Sequence, residues 1–176
     1  MAEKSKKLLD QVRAAILETQ SPAEVMRRVN DLLIPDTQHG MFVTAVYAVL
    51  CLQTGELTFA NAGHNPPLWV QRKTGKIERL TRTGMALGVV EKLDVEQCTI
   101  HLEPDDCLLF YTDGLTEAFA PDGDIFGEGR LTEVLSALPV VTANQMLDTV
   151  EKAVMDFMDS LPPGGDLTML TVRRLQ

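Results

Sequence analysis

Two carboxylates stand where apolar segments meet turns. Asp113 follows the run Leu108-Leu-Phe-Tyr-Thr112 and precedes Gly114; Asp166 lies where Pro162-Pro-Gly-Gly165 meets the last apolar segment of the chain. A carboxylate is costly to bury alone, so at the end of a buried strand it either caps the next turn or binds a cation. Asp113 is open to both readings, as the cap of a turn beginning at Leu115 or as a ligand. Two strand-end carboxylates from distant parts of a sheet can converge on a hard cation such as Mg²⁺ or Mn²⁺. Glu117 follows Asp113 by one helical turn and shares its face if that turn is helical. His64, in Asn61-Ala-Gly-His-Asn-Pro-Pro67, reads as a turn imidazole bonded to nearby backbone, and His39 and His101 are isolated. There is no H-x-x-x-H, G-x-S-x-G, Walker or G-x-G-x-x-G pattern. Zinc, Ser/His/Asp and nucleotide-loop chemistry therefore have no local support.

The elements that must position these groups follow from periodicity. Leu8, Leu9, Val12, Ile16 and Leu17 form one stripe of a helix over residues 5–19. Ser21-Pro-Ala-Glu24 opens a second helix, with Ser21 as cap, Pro22 in the first turn and Glu24 completing a capping box. Its stripe is Val25, Met26, Val29, Leu32 and Leu33, and Pro35 ends it. From Met41 the period changes. Residues 41–52, MFVTAVYAVLCL, are apolar on both faces and read as a central strand. LTFANA, LWVQR and IERLT follow as strands joined by Gly-containing turns, which argues for an antiparallel meander. CTIHL and CLLFYT come next. The last third holds a short helix over residues 130–138, then a capping box Thr142-Ala-Asn-Gln145. That box leads the stripe Met146, Leu147, Val150, Val154, Phe157 and Met158. DLTMLTVRR closes the chain as a strand. Helices and strands are segregated, so the class is α+β with helices packed on antiparallel sheet.

Composition bounds the rest. The 176 residues suffice for one domain with a core, 45% of them are hydrophobic and 23% charged, and the net charge is −9. An acidic chain does not suit nucleic acid. Cys51, Cys98 and Cys107 sit in apolar runs without C-x-x-C spacing and read as buried thiols in a reducing compartment. No signal peptide or membrane span is visible, so a cytoplasmic protein without membrane contact is expected.

Read together, MFVTAVYAVLCLQTGELTFANAGHNPPLWV, TGMALGV, PDDCLLFYTDGLTEAFAPDGDIFGEGRL and GGDLTMLTV resemble, in this order, the bacterial metal-dependent protein serine/threonine phosphatases. The branch is the sporulation stage II E and sigma-regulator type of the PPM family. The resemblance implies an antiparallel β-sandwich flanked by helices, α-β-β-α, over residues 1–176. It implies two Mn²⁺ or Mg²⁺ ions holding a water that attacks the phosphorus of a phosphoserine or phosphothreonine. It places Asp113 at the family's metal-binding Asp-Gly position, with Gly114 as backbone beside the metal, and Glu117 at an outer metal position. It also implies a phosphorylated regulatory protein of the anti-sigma-antagonist type as partner.

Two departures from the family pattern stand out. The opening strands, with their Gly-Asp-aromatic and Asp-x-Ser-Gly-x-Gly segments, have no counterpart, so the domain is expected to be truncated at its N-terminus. The closing Asp-Asp-Ile/Leu-Thr reads Gly165-Asp166-Leu167-Thr168. A glycine holds the ligand position, and Asp166 matches the second Asp, as a compensating ligand or a group behind the ligands. Two readings follow: a phosphatase, or an impaired phosphatase-like module that binds a phosphoprotein or dimerises. Missing strands would leave a sheet edge open, which favours a homodimer.

Overall fold

The computed structural model describes residues 10, 12–16, 19–37, 41–139, 142–159 and 165–175. Among these the chain divides into two compact units. One contains the described residues up to His64 together with Thr81–His101. The other contains Asn65–Leu80 and the described residues from Leu102 onward.

The first unit is a three-stranded sheet with a helix on it. Its strands are β1 (Ala45–Leu50), β2 (Glu56–Ala62) and β5 (Cys98–His101), in the order β1-β2-β5. β1 and β2 form a hairpin with Ala45 opposite Ala62 and Leu50 opposite Leu57. Helix α1 (Pro22–Leu33) packs on β1 and β2 through Val25, Met26, Val29 and Leu33. Leu32, expected in that stripe, is 44% exposed, because the buried arc passes instead through Ala23 and Asn30. Residues 12–16 are helical, but Ala15 rather than Ile16 is buried there; Leu8, Leu9 and Leu17 lie outside the described residues. The capping box expected at Ser21 is half formed. Ser21 Oγ accepts from Glu24 N, while Glu24 turns its carboxylate to Arg27 and Arg28. The Ser21 N–H is satisfied by Thr19 Oγ1 instead.

The second unit carries the four-stranded sheet β4-β3-β6-β7, formed by β3 (Leu68–Val70), β4 (Ile77–Arg79), β6 (Cys107–Tyr111) and β7 (Met169–Arg173). Every strand pair is antiparallel. After β6 come the short helix α2 (Asp113–Thr116), α3 (Gly127–Ala137) and α4 (Ala143–Met158). Helix α4 lies on β7 and packs beside α3. Met146, Val150, Val154 and Met158 are buried against Leu109, Tyr111 and Leu131. Burying each such side chain contributes about 1.5–3 kcal/mol. The capping box at Thr142 is complete: Thr142 Oγ1 accepts from Gln145 N and Gln145 Oε1 accepts from Thr142 N.

Three expectations are corrected here. β1 is an edge strand among the described residues and all six of its positions are half-buried, despite its two apolar faces. The strands do not run as one meander. β2 pairs with β5 and β3 with β6, because Pro66 and Pro67 offer no N–H to extend the β2 ladder. Cys51 and Cys98 are exposed and only Cys107 is buried, since Cys51 falls in the turn after β1 and Cys98 opens an edge strand.

Candidate functional site

The end of β6 carries the acidic residues that the sequence singles out. Tyr111 is the last ladder residue, paired with Met169 of β7, and its side chain is buried. The chain then turns into α2. Thr112 occupies the cap position in extended conformation, and Asp113 is the first helical residue rather than the cap itself. Asp113 is exposed, and its Oδ1 accepts from Gly114 N at 3.0 Å. Glu117 is one turn on, with its N–H bonded to Asp113 O at 2.8 Å and its side chain exposed.

Two features bring Asp166 to this turn. The first is a clasp through Thr112. Its hydroxyl donates to Asp166 O at 2.8 Å and accepts from Thr168 N at 3.0 Å, and its own N–H donates to Thr168 O at 3.1 Å. The second is the absence of a side chain at position 114. A Cβ built on Gly114 would lie 2.7 Å from Asp166 O and 3.1 Å from Asp166 C. The backbone of Asp166 therefore rests directly on Gly114, and the segments bearing Asp113 and Asp166 are held side by side. Neither Thr112 nor the close approach was singled out in the sequence. The available signal was a small, hydroxyl-bearing residue and a glycine flanking a strand-end aspartate.

Glu128 and Arg79 stand behind this turn in the same unit. Tyr111 Oη donates to Glu128 Oε1 at 3.3 Å, and Arg79 pairs with the same oxygen at 2.8 Å. Burial, with the Glu128 charge beside it, pushes the Tyr111 phenol up to about 12. Beyond Glu117 the chain forms a small hairpin, with Phe119 bridged to Ile125. Arg130 braces it through Asp124 at 2.7 Å and lies over the Phe157 ring at 4.7 Å. The Arg130 guanidinium holds the Asp124 carboxyl below its ordinary range.

His64 and Asn61 belong to the other unit. Asn61 Oδ1 accepts from His64 N at 2.9 Å, and His64 Nδ1 is 3.0 Å from Thr44 Oγ1. His39 lies outside the described residues.

The donor set at β6 has the right chemistry for a hard divalent cation. Asp113 and Asp166 are exposed carboxylates, and the backbone of Asp166 rests on Gly114, the residue after Asp113. The number of donors is smaller than a two-ion centre needs. Among the described residues no three His, Cys, Asp or Glu side chains gather as a metal cage. Each octahedral Mg²⁺ keeps about six oxygen ligands. The residues present fit part of one cation's shell and do not fit a pair of ions.

Comparison with known proteins places the chain. Its similarity to protein IcfG of Synechocystis is 32% identity over 152 residues, covering 85% of this chain and 23% of that protein. The phosphoserine phosphatase RsbU of Bacillus subtilis is 25% identical over 153 residues, covering 87% of this chain and 45% of RsbU. The chain thus spans less than half the length of either relative. The solved structure of the PP2C phosphatase domain of SpoIIE from Bacillus subtilis, with a fragment of its regulatory domain, superposes with a TM-score of 0.81. The identity is 16%, and the match covers 97% of this chain and 48% of that one. The fold is that of PP2C phosphatase domains. Residues 4–175 match the family described as Stage II sporulation protein E (SpoIIE), and the chain belongs to that family.

Proposed function

We propose that this chain is a single phosphatase domain, or the larger part of one, of a metal-dependent protein phosphatase that hydrolyses phosphoserine or phosphothreonine. The observation that carries the reading is the clasped pair of segments at the end of β6, with Asp113 exposed in the Asp-Gly turn and Asp166 seated on Gly114. Membership of the SpoIIE family and likeness to RsbU, a phosphoserine phosphatase, support it. Asp113 holds Mn²⁺ or Mg²⁺ directly, Asp166 is the compensating ligand beside Gly165, and Glu117 is an outer ligand. A cation there supplies Lewis acidity toward water and phosphoryl oxygen. The chain's own contribution is positional: Thr112 and Gly114 fix the spacing of the two acidic segments. Exposed oxygens at a sheet end leave a phosphorylated side chain free access. The substrate is a phosphorylated regulatory protein of the anti-sigma-antagonist type.

A second reading has its own support. The short donor set favours a phosphatase-like module that binds a phosphoprotein, or dimerises, without turnover. Phosphate release from a phosphoserine peptide separates the two readings, measured with Mn²⁺, with chelator, and with Asp113→Ala. The phosphatase reading expects Mn²⁺-dependent release that is lost in the variant. No release from folded protein, with the peptide still bound, would overturn it in favour of the module.

A further inference from the structure

The small hairpin beyond Glu117 is held from several sides. Phe119 and Ile125 face each other across it. Ala120 N donates to Asp124 O at 2.9 Å, Phe126 N donates to Ala118 O at 2.9 Å, and Gly123 turns the chain with a φ of +87°. Asp122 Oδ1 accepts from Asp124 N, and Asp124 Oδ1 from Ile125 N. Arg130 holds the returning arm: its Nη1 donates to Ile125 O at 2.6 Å and to Phe126 O at 3.2 Å, while Nη2 meets the Asp124 carboxylate. Phe126, at the base, is buried edge-on against Phe157 with ring centres 5.5 Å apart.

The two residues this frame presents are apolar and open. Phe119 is 51% exposed and Ile125 47%, and neither belongs to the core of the unit, which the flanking Ala118 and Phe126 join instead. Directly opposed residues of an antiparallel pair share one face, with Cβ atoms about 5 Å apart. Phe119 and Ile125 therefore form one continuous patch. Ordering a loop costs conformational entropy, and a loop ordered in advance gives a partner a surface that need not be ordered again.

Charge around the patch selects its occupant. From Asp113 to Arg130 the chain carries five carboxylates and one cation. Asp124 is paired with Arg130 and Glu128 with Arg79. Glu117, two residues before Phe119, and Asp122, three before Ile125, are exposed and have no ion pair among the described residues. An apolar centre with an acidic rim fits an apolar residue flanked by lysine or arginine. A second copy of the same surface would set Asp122 and Glu117 against their own kind, in a chain of net charge −9.

We propose that Phe119 and Ile125 are the docking surface for a segment of the partner protein that carries an apolar residue beside basic ones. The inference rests on the phosphatase reading for the nature of that partner, the phosphorylated substrate. Phe119 follows Asp113 by one helical turn and three further residues, a reach of at most about 15 Å. Extended peptide advances about 3.3 Å per residue, so the apolar residue stands within about four or five positions of the phosphoserine.

The test uses short synthetic peptides with a central serine or phosphoserine, leucines four residues to either side and lysines next to them. Their counterparts carry alanine for leucine, or glutamate for lysine. Binding of the serine forms is read by fluorescence anisotropy in chelator, and phosphate release from the phosphoserine forms as kcat/KM in Mn²⁺. The leucine peptide should bind roughly tenfold tighter than the alanine one, as expected for a partly buried leucine, and show a similar ratio in kcat/KM. Phe119→Ser, at an exposed position, should bring that ratio near one. Met155→Ser, equally exposed on α4, should leave it unchanged. The glutamate peptide should bind several-fold more weakly, and Asp122→Asn should narrow that gap. Equal binding of the leucine and alanine peptides, or a leucine preference that survives Phe119→Ser, overturns the proposal. Self-association of the chain that is lost in Phe119→Ser, without peptide binding, overturns it in favour of a second copy. Absence of phosphate release from every peptide counts against the phosphatase reading alone, because the binding ratio still decides the docking surface.

Discussion

Replacing Gly114 by alanine opposes two effects whose sizes are known. In an unstrained helix Gly→Ala stabilises by about 0.5–1 kcal/mol, because glycine loses more backbone freedom on folding. At Gly114 the new methyl would sit 2.7 Å from Asp166 O, closer than a real Cβ approaches such an atom. The obstacle is backbone, so the closing segment must move, at a cost of about 1–3 kcal/mol for overpacking of this kind. The clash outweighs the propensity gain, leaving a net loss of roughly 1–2 kcal/mol, or about 2–8 °C in Tm for a chain of this length. Gly129, inside α3, is the matched control. Nothing lies within 4 Å of its added Cβ, so Gly129→Ala should stabilise by up to about 1 kcal/mol. Thermal and urea denaturation of both variants measure the difference. A Gly114→Ala protein that melts at or above wild type would refute the claim that Asp166 is seated on Gly114.

Other predictions follow from the same contacts. Thr112→Val removes the hydroxyl that bonds Asp166 O and Thr168 N, and should cost about 1–3 kcal/mol by urea denaturation while loosening amide exchange at Thr168. Thr142→Ala removes the cap of α4 and should cost about 1 kcal/mol in the same assay. The Tyr111 phenol is raised from 10.0 to about 12 in the folded chain, so the unfolded phenol ionises first. The stability this represents is present below pH 10 and is lost as pH rises toward 12. It amounts to about 2–3 kcal/mol. Tyr111→Phe should lack that part of the alkaline slope in denaturation curves taken across this range.

What was legible in the sequence is what local chemistry dictates. The β-branched and aromatic runs marked β2, β3 and β6, and the stripe from Met146 to Met158 marked α4 and its buried face. The acidic turn at Asp113 was visible because a carboxylate after CLLFY breaks an apolar pattern. Long-range pairing was not visible. Nothing local to AVYAVL tells whether a second neighbour strand exists, so β1 read as central while it stands at an edge among the described residues. The same limit hid the exposure of Cys51 and Cys98. At Ser21 the box is only half formed because Arg27 and Arg28 compete for the Glu24 carboxylate, and that competition lies three and four residues beyond the motif. At the site, the residue types were readable, but the contact between Gly114 and Asp166 depends on β6 pairing with β7.

Divalent-metal binding tests the central claim most directly. Mn²⁺ titrated into the folded chain, followed by calorimetry, should show saturable binding that falls at least tenfold in Asp113→Ala and weakens in Asp166→Ala. Binding that is absent at millimolar Mn²⁺, or unchanged when Asp113 is removed, would contradict the assignment of the β6 turn as a metal site.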